Sequence, residues 1–245
     1  GVAVKILSSK ANKILVGSED AKPGRPKAKE IVVTGTATKV KKVEISEQKK
    51  QELLSKNGLK QNKPIVLFFG GSQGAKSINT SLMQIIGKKQ NKNYQIMWAA
   101  GPAQYEEIKF TLKKEFSLAI ENIPNVKIVP YIYNMEEMMN IVDLVVARSG
   151  AMTITEISNV GKPAIFIPFP FATENHQEYN AKVLEKIGAA KIILDKDLNA
   201  KNLNQTIENL VQDKKKLKQM GENARSVSIS QVEQKIYEEI RKTIK

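Results

Sequence analysis

The stretch Pro64–Leu82, P-I-V-L-F-F-G-G-S-Q-G-A-K-S-I-N-T-S-L, constrains the fold more than any other part of the chain. Five apolar residues, Ile65 to Phe69, run into glycines, the pattern of a strand buried on both faces of a parallel sheet. Apolar residues then recur at Ile78, Leu82, Ile85 and Ile86, which is helical spacing. Strand, glycine loop and helix in this order aim the first backbone N–H groups of the helix into the loop, where an anion can sit. Gly70, Gly71 and Gly74 would let a phosphate approach the backbone, and Ser72 and Gln73 add polar groups between them. The same glycines would also serve a tight turn that needs positive φ. The loop is neither G-x-G-x-x-G nor a P-loop, since no G-K-[ST] closes it.

Apolar runs and helical stretches alternate from there on. Strands are expected at residues 65–69, 94–99, 126–129, 144–147, 164–167 and 191–194. Helices are expected at 75–86, 103–116, 135–141, 152–160 and 178–187, with charged helical text to the end. Such alternation predicts an α/β fold, a Rossmann-like parallel sheet with helices on both faces. Upstream, Ser46 is placed to cap a helix that ends near Asn57-Gly58, and 36–42 reads as a linker. The first 39 residues contain two short strand-like runs, 13–17 and 30–34, around a K-P-G-R-P loop at 22–26. Two strands do not make a domain, and the chain opens on Gly1, so this part reads as a fragment of a longer protein.

Charge and composition narrow the partners. Lys and Arg total 39 against 25 acids, a net charge of +14, which favours anionic ligands or a lysine-rich solvated surface. The lysines are dispersed and few rings interleave with them, which speaks against a nucleic-acid platform. Cysteine is absent and there is one histidine, so neither a thiol nucleophile nor a histidine–cysteine metal site is available. No run of about 18 apolar residues is present to cross a membrane.

Open parallel sheets bind ligands outside the carboxyl ends of their strands. The residues that follow each strand are therefore the candidate site: Gly70–Gly74; Ala100-Gly101-Pro102; Pro130 to Met135, with Ile132 and Met135; Arg148 to Thr153, with Ser149, Gly150, Met152 and Thr153; and Pro168 to Gln177, with His176 and Gln177. Glu156 lies in the first turns of a helix. It could accept both hydroxyls of a ribose, or simply be a carboxylate favoured near a helix N-terminus. His176 could donate to a phosphate or a sugar hydroxyl, or be a plain surface or core histidine. Asp195-Lys196-Asp197 spells D-x-D but precedes a helix with Asn199 as its cap, so it reads as turn and cap rather than a metal motif.

F-F-G-G-S-Q-G-A-K-S-I-N, A-R-S-G-A-M-T-I-T-E-I and F-A-T-E-N-H-Q-E-Y-N-A together resemble the MurG family of bacterial glycosyltransferases. The resemblance runs from about Ile31 to the C-terminus. It implies half of a GT-B fold, with residues 1–40 as a remnant of the N-terminal acceptor domain and linker, and 41–245 as the C-terminal UDP-sugar-binding domain. It implies an inverting hexosyltransferase that moves N-acetylglucosamine from UDP-N-acetylglucosamine to a lipid-linked muramoyl-pentapeptide in peptidoglycan synthesis. By this resemblance Ser72, Gln73 and Gly74 lie by the diphosphate. Ile132 reads the uracil through its backbone, with Met135 beside it. Met152 and Thr153 fall near the phosphates at a helix start, Ser149 and Gly150 bind substrate beside them, Glu156 holds the ribose, and His176 and Gln177 address the sugar with Asn180 close by. No cofactor, metal or nucleic acid is implied. The acceptor, the proposed base and a peripheral contact with anionic membrane at the cytoplasmic face belong to the domain this chain lacks, so turnover by the chain alone is not expected. Lys39 stands where the family has an arginine, and a lysine cannot copy its fork. The alternatives are another UDP-sugar transferase of this fold, such as a glycolipid synthase, or a non-catalytic nucleotide-binding subunit completed by a partner.

Overall fold

The computed structural model describes residues 6–8, 10–21, 29–71 and 74–244. The chain divides into two compact units, residues 1–39 with 227–245, and residues 40–226. In the first unit, β1 (Ile14–Val16) pairs in parallel with β2 (Ile31–Val33), with Ile14 opposite Ile31. The two runs expected as strands therefore pair with each other. The 22–26 loop lies outside the described residues. The last helix of the chain belongs to this unit, and within the unit Lys13 bridges Glu30 at 3.2 Å and Glu239 at 2.5 Å.

The second unit opens with α1 (Glu47–Lys56). Ser46 caps it by accepting from the Lys49 N–H at 3.2 Å, and it ends at Asn57 with Gly58 at φ +65°. Six strands and six further helices follow: β3 (Ile65–Phe69), α2 (Lys76–Gly87), β4 (Gln95–Ala99), α3 (Pro102–Phe116), β5 (Val126–Val129), α4 (Met135–Ile141), β6 (Leu144–Ala147), α5 (Ala151–Val160), β7 (Ala164–Phe166), α6 (His176–Lys186), β8 (Ala190–Ile192) and α7 (Ala200–Val211). Then come α8 (Lys214–Ser226) and, in the first unit, α9 (Val232–Ile244).

The sheet runs β5-β4-β3-β6-β7-β8 and every pairing is parallel. Strand order reverses between β3 and β6, which opens a crevice at their carboxyl ends. Successive residues of a strand point to opposite faces, and in the central strands β3, β4, β6 and β7 both faces are buried. Val66 and Phe68, Ile96 and Trp98, and Leu144 and Val146 pack into one core with Ile78 and Leu82 of α2 and Leu203 and Ile207 of α7. Ile65, Leu67 and Phe69, Met97, Val145 and Phe166 enter a second core with Leu54 of α1, Met138 of α4, Ile157 of α5 and Leu184 of α6. Double-sided burial is why the central strands β3, β6 and β7 read as unbroken apolar runs, whereas the edge strands β5 and β8 each carry a lysine.

Two details of the connecting segments have local causes. Helix α6 starts at His176, two residues earlier than the apolar spacing suggests. Glu174 and Asn175 both take left-handed backbone, φ +55° and +51°, and turn the chain into the helix there. The D-x-D triplet forms a 3-10 turn, and Asn199 caps α7 by accepting from the Asn202 N–H at 2.9 Å, as expected. Asp195, however, also bonds across the fold, to residues that follow β3 and β6.

Candidate functional site

At the carboxyl ends of β3, β6 and β7, a cleft of about 640 Å³ is lined by Gly70, Gly71, Gly74, Ala75, Lys76 and Ser77, by Arg148, Gly150 and Thr153, by Phe169, Pro170, Phe171 and Gln177, and by Asp195. Helices α2 and α5 both begin on its wall. Their N-cap residues, Ala75 and Gly150, offer no side-chain hydrogen bond. The first N–H groups of a helix have no partner within the helix, so both starts present donors and the positive end of a dipole to the cleft.

The glycine loop is shaped by contact as much as by φ. A Cβ on Gly70 would lie 2.3 Å from the Ala75 nitrogen. On Gly74, at φ +78°, it would lie 2.4 Å from the Ala100 carbonyl oxygen. Below the loop, buried Asn79 donates to the Ala100 carbonyl (2.8 Å) and accepts from the Trp98 indole N–H (3.0 Å), tying α2 to the end of β4.

An ionic network forms part of the cleft's lining. Arg148 Nη1 donates to the carbonyls of Ile167 and Pro168, each at 3.0 Å, and to Asp195 Oδ1 at 2.5 Å. Its Nη2 donates to Ser77 Oγ at 2.9 Å, and the Ser77 hydroxyl donates to the same Asp195 oxygen at 2.7 Å. The guanidinium also stands 5.5 Å from the centre of the Phe169 ring, which meets Phe171 edge to face. The ion pair is only 11% and 21% exposed, so solvent screens it less than a surface pair.

The residues anticipated from sequence fall into three groups. Gly74, Gly150, Thr153 and Gln177 line the cleft together. Ser149 and Asn180 brace it from behind. The fully buried Ser149 hydroxyl donates to the Gln177 carbonyl at 2.7 Å, Asn180 Nδ2 donates to the Ser149 carbonyl at 3.1 Å, and Gln177 Oε1 accepts from the Phe169 N–H at 3.1 Å. Ile132, Met135, Met152, Glu156 and His176 are not on its wall. Ile132 is buried in the second core, which Met135 packs against, Met152 is 45% exposed, and Glu156 is half-buried on α5. His176 is exposed. Its Nδ1–H donates to the Thr173 carbonyl at 2.7 Å, which leaves Nε2 as the ring nitrogen open to a ligand. Ser72 and Gln73 lie outside the described residues.

The sequence reading places Arg148 within the candidate stretch after β6 without a role of its own, assigns none to Ser77, and takes Asp195 as part of a turn and cap. A serine one turn past the glycines and an arginine directly after four apolar strand residues were the available signals. Asp195 carried none, because a turn accounted for it. Among the described residues no group of three or more His, Asp or Glu side chains could hold a metal ion, and no helix is long and apolar enough to cross a membrane.

Known proteins resemble the chain throughout. The N-acetylglucosamine transferase acting on N-acetylmuramyl-(pentapeptide) pyrophosphoryl-undecaprenol from Acetivibrio thermocellus is 36% identical over 246 residues, covering 100% of this chain and 64% of that protein. The enzyme of the same name from Desulforamulus reducens is 39% identical over 228 residues, covering 93% of this chain and 60% of its own length. The chain thus spans less than two thirds of these relatives. Among solved structures, Acinetobacter baumannii MurG superposes with a TM-score of 0.69 at 28% identity, covering 99% of this chain and 63% of that one. The family described as the glycosyltransferase family 28 C-terminal domain matches residues 65–238, and the chain belongs to that family.

Proposed function

We propose that this chain is the donor-binding half of an inverting transferase that takes N-acetylglucosamine from UDP-N-acetylglucosamine. The acceptor is a lipid-linked muramoyl-pentapeptide, the conversion of lipid I to lipid II in peptidoglycan synthesis. The observation that carries the reading is that two helix starts without side-chain caps, α2 and α5, share one cleft at the point where strand order reverses. A diphosphate there would receive backbone donors from both. The activity for which the relatives are named supports the sugar and the acceptor.

In this reading the acceptor hydroxyl attacks the anomeric carbon, the glycosidic bond to the diphosphate breaks, and UDP departs with the bonding pair. Gly74, Gly150 and Thr153 face the diphosphate, whose growing charge the helix starts stabilise; preorganised electrostatics of this kind often dominates catalysis. Ser149 and Met152 support that turn. From beyond the described wall of the cleft, Ile132 serves the uracil through its backbone with Met135 beside it and Glu156 serves the ribose, while His176 and Gln177 address the sugar with Asn180 close by. Residues 1–40 are the tail of an acceptor-binding domain that supplies the base and the contact with anionic membrane at the cytoplasmic face.

Charge-assisted hydrogen bonds contribute about 1.5–3 kcal/mol each, while association costs about 4–15 kcal/mol. A handful of such bonds gives modest affinity. The expected outcome is weak calorimetric binding of UDP and UDP-N-acetylglucosamine, weaker binding of UDP-galactose, and no turnover of a lipid-linked acceptor. Absence of UDP binding would overturn the donor-site reading, and turnover by this chain alone would overturn its dependence on a second domain.

A further inference from the structure

We propose that Arg148, Asp195 and Ser77 form a positioning clamp that holds the two helix starts in register for one diphosphate, and that Asp195 strengthens anion binding although it is itself an anion. The inference rests on the donor-site reading above.

The geometry supports a clamp over a direct ligand. Arg148 immediately precedes Ser149-Gly150 at the start of α5. From there its guanidinium reaches the loop after β7 through the Ile167 and Pro168 carbonyls, the first turn of α2 through Ser77, and the turn after β8 through Asp195. Four segments of the cleft rim thus meet at one planar group, whose fixed fork suits several simultaneous acceptors. Nη1 already has three acceptors and Nη2 has one, so most of its donor capacity is directed at protein. Asp195 Oδ1 closes the triangle by accepting from both Arg148 and the Ser77 hydroxyl. The positive charge of Arg148 is matched within the clamp, which leaves the backbone donors of α2 and α5 as the anion contacts.

Two roles for Asp195 predict opposite signs. As a bystander charge beside a diphosphate it would repel the ligand, and Asp195→Asn would tighten UDP binding. As a clamp member it orders the donors, and Asp195→Asn would weaken UDP binding despite removing a negative charge. The experiment is calorimetric titration of the full chain with UDP at fixed salt for the wild type, Asp195→Asn and Ser77→Ala, with a thermal unfolding scan of each. Ser77→Ala removes a neutral part of the same triangle and leaves net charge unchanged. The clamp predicts that both variants bind UDP more weakly, Asp195→Asn by about tenfold, the equivalent of one charge-assisted hydrogen bond, while both still unfold cooperatively. Unchanged or tighter binding by Asp195→Asn overturns the clamp. Should Asp195→Asn fail to fold, Ser77→Ala decides alone, and wild-type affinity in that variant overturns the proposal. A wild-type chain that binds no UDP instead defeats the donor-site reading, which keeps the two failures apart.

Discussion

The conformation of single residues decides whether the glycine loop is a cradle or merely a turn. Gly74 and Gly150 both line the cleft, yet they differ in what they tolerate. Gly74 sits at φ +78° with the Ala100 carbonyl where a Cβ would go, whereas Gly150 sits at φ −64° with open space around it. Gly74→Ala should therefore cost at least about 2 kcal/mol, from left-handed strain and the clash together. Gly150→Ala should cost less than about 1 kcal/mol, the size of a weakened N-cap. Urea unfolding of both variants measures this. Equal losses would mean that the loop relaxes around a new methyl group and that Gly74 is not needed for its shape.

At the level of elements, strands were legible in sequence and helix boundaries less so, for physical reasons. A strand buried on both faces needs an unbroken apolar run, so β3 and β6 could be read to the residue. The start of α6 depends on left-handed backbone at Glu174 and Asn175, which no apolar spacing records. The site was legible where it rests on backbone, as at Gly74, Gly150 and Thr153. It was hidden where a side chain reaches across the fold, because the Arg148–Asp195 pair joins residues 47 positions apart. Lys162, in the turn between α5 and β7, is another such crossing. Its Nζ donates to the Asn140 carbonyl at 3.0 Å and the Val142 carbonyl at 2.7 Å, at the C-terminus of α4. Burial lowers its pKa to about 8, opposed by Asp143 and assisted by Lys50 and Lys42. Between pH 8 and 10 the folded chain then releases this proton while the unfolded chain, with a lysine pKa near 10.5, keeps it. Stability contributed at this position therefore rises with pH. Relative to Lys162→Met, the wild type should gain about 2 kcal/mol over that interval. Urea titrations at pH 8, 9 and 10 give the comparison, and parallel profiles for the two proteins would refute the assignment. Tyr94, whose pKa burial raises, opposes the trend only as pH climbs past 10, and it does so equally in both proteins.

For the whole molecule, the division of the chain makes a prediction that single sites cannot. Both hydrophobic cores draw only on residues from Val40 to Ala224, and every residue on the cleft wall lies between Gly70 and Asp195. The second unit, residues 40–226, therefore contains its own cores, its complete six-stranded sheet and all of the described cleft. A compact unit of this size with its own core is expected to fold alone. The segment 40–226 should consequently unfold in one cooperative transition and bind UDP within about twofold of the full chain, since none of the cleft's contacts is removed. Matched calorimetry and denaturation of the segment and the full chain test this directly. A large loss of UDP affinity in a segment that still folds would mean that the described cleft is not sufficient for the nucleotide. Donor recognition would then require groups from residues 1–39 or 227–245, and the assignment of the donor site to one unit would have to be abandoned.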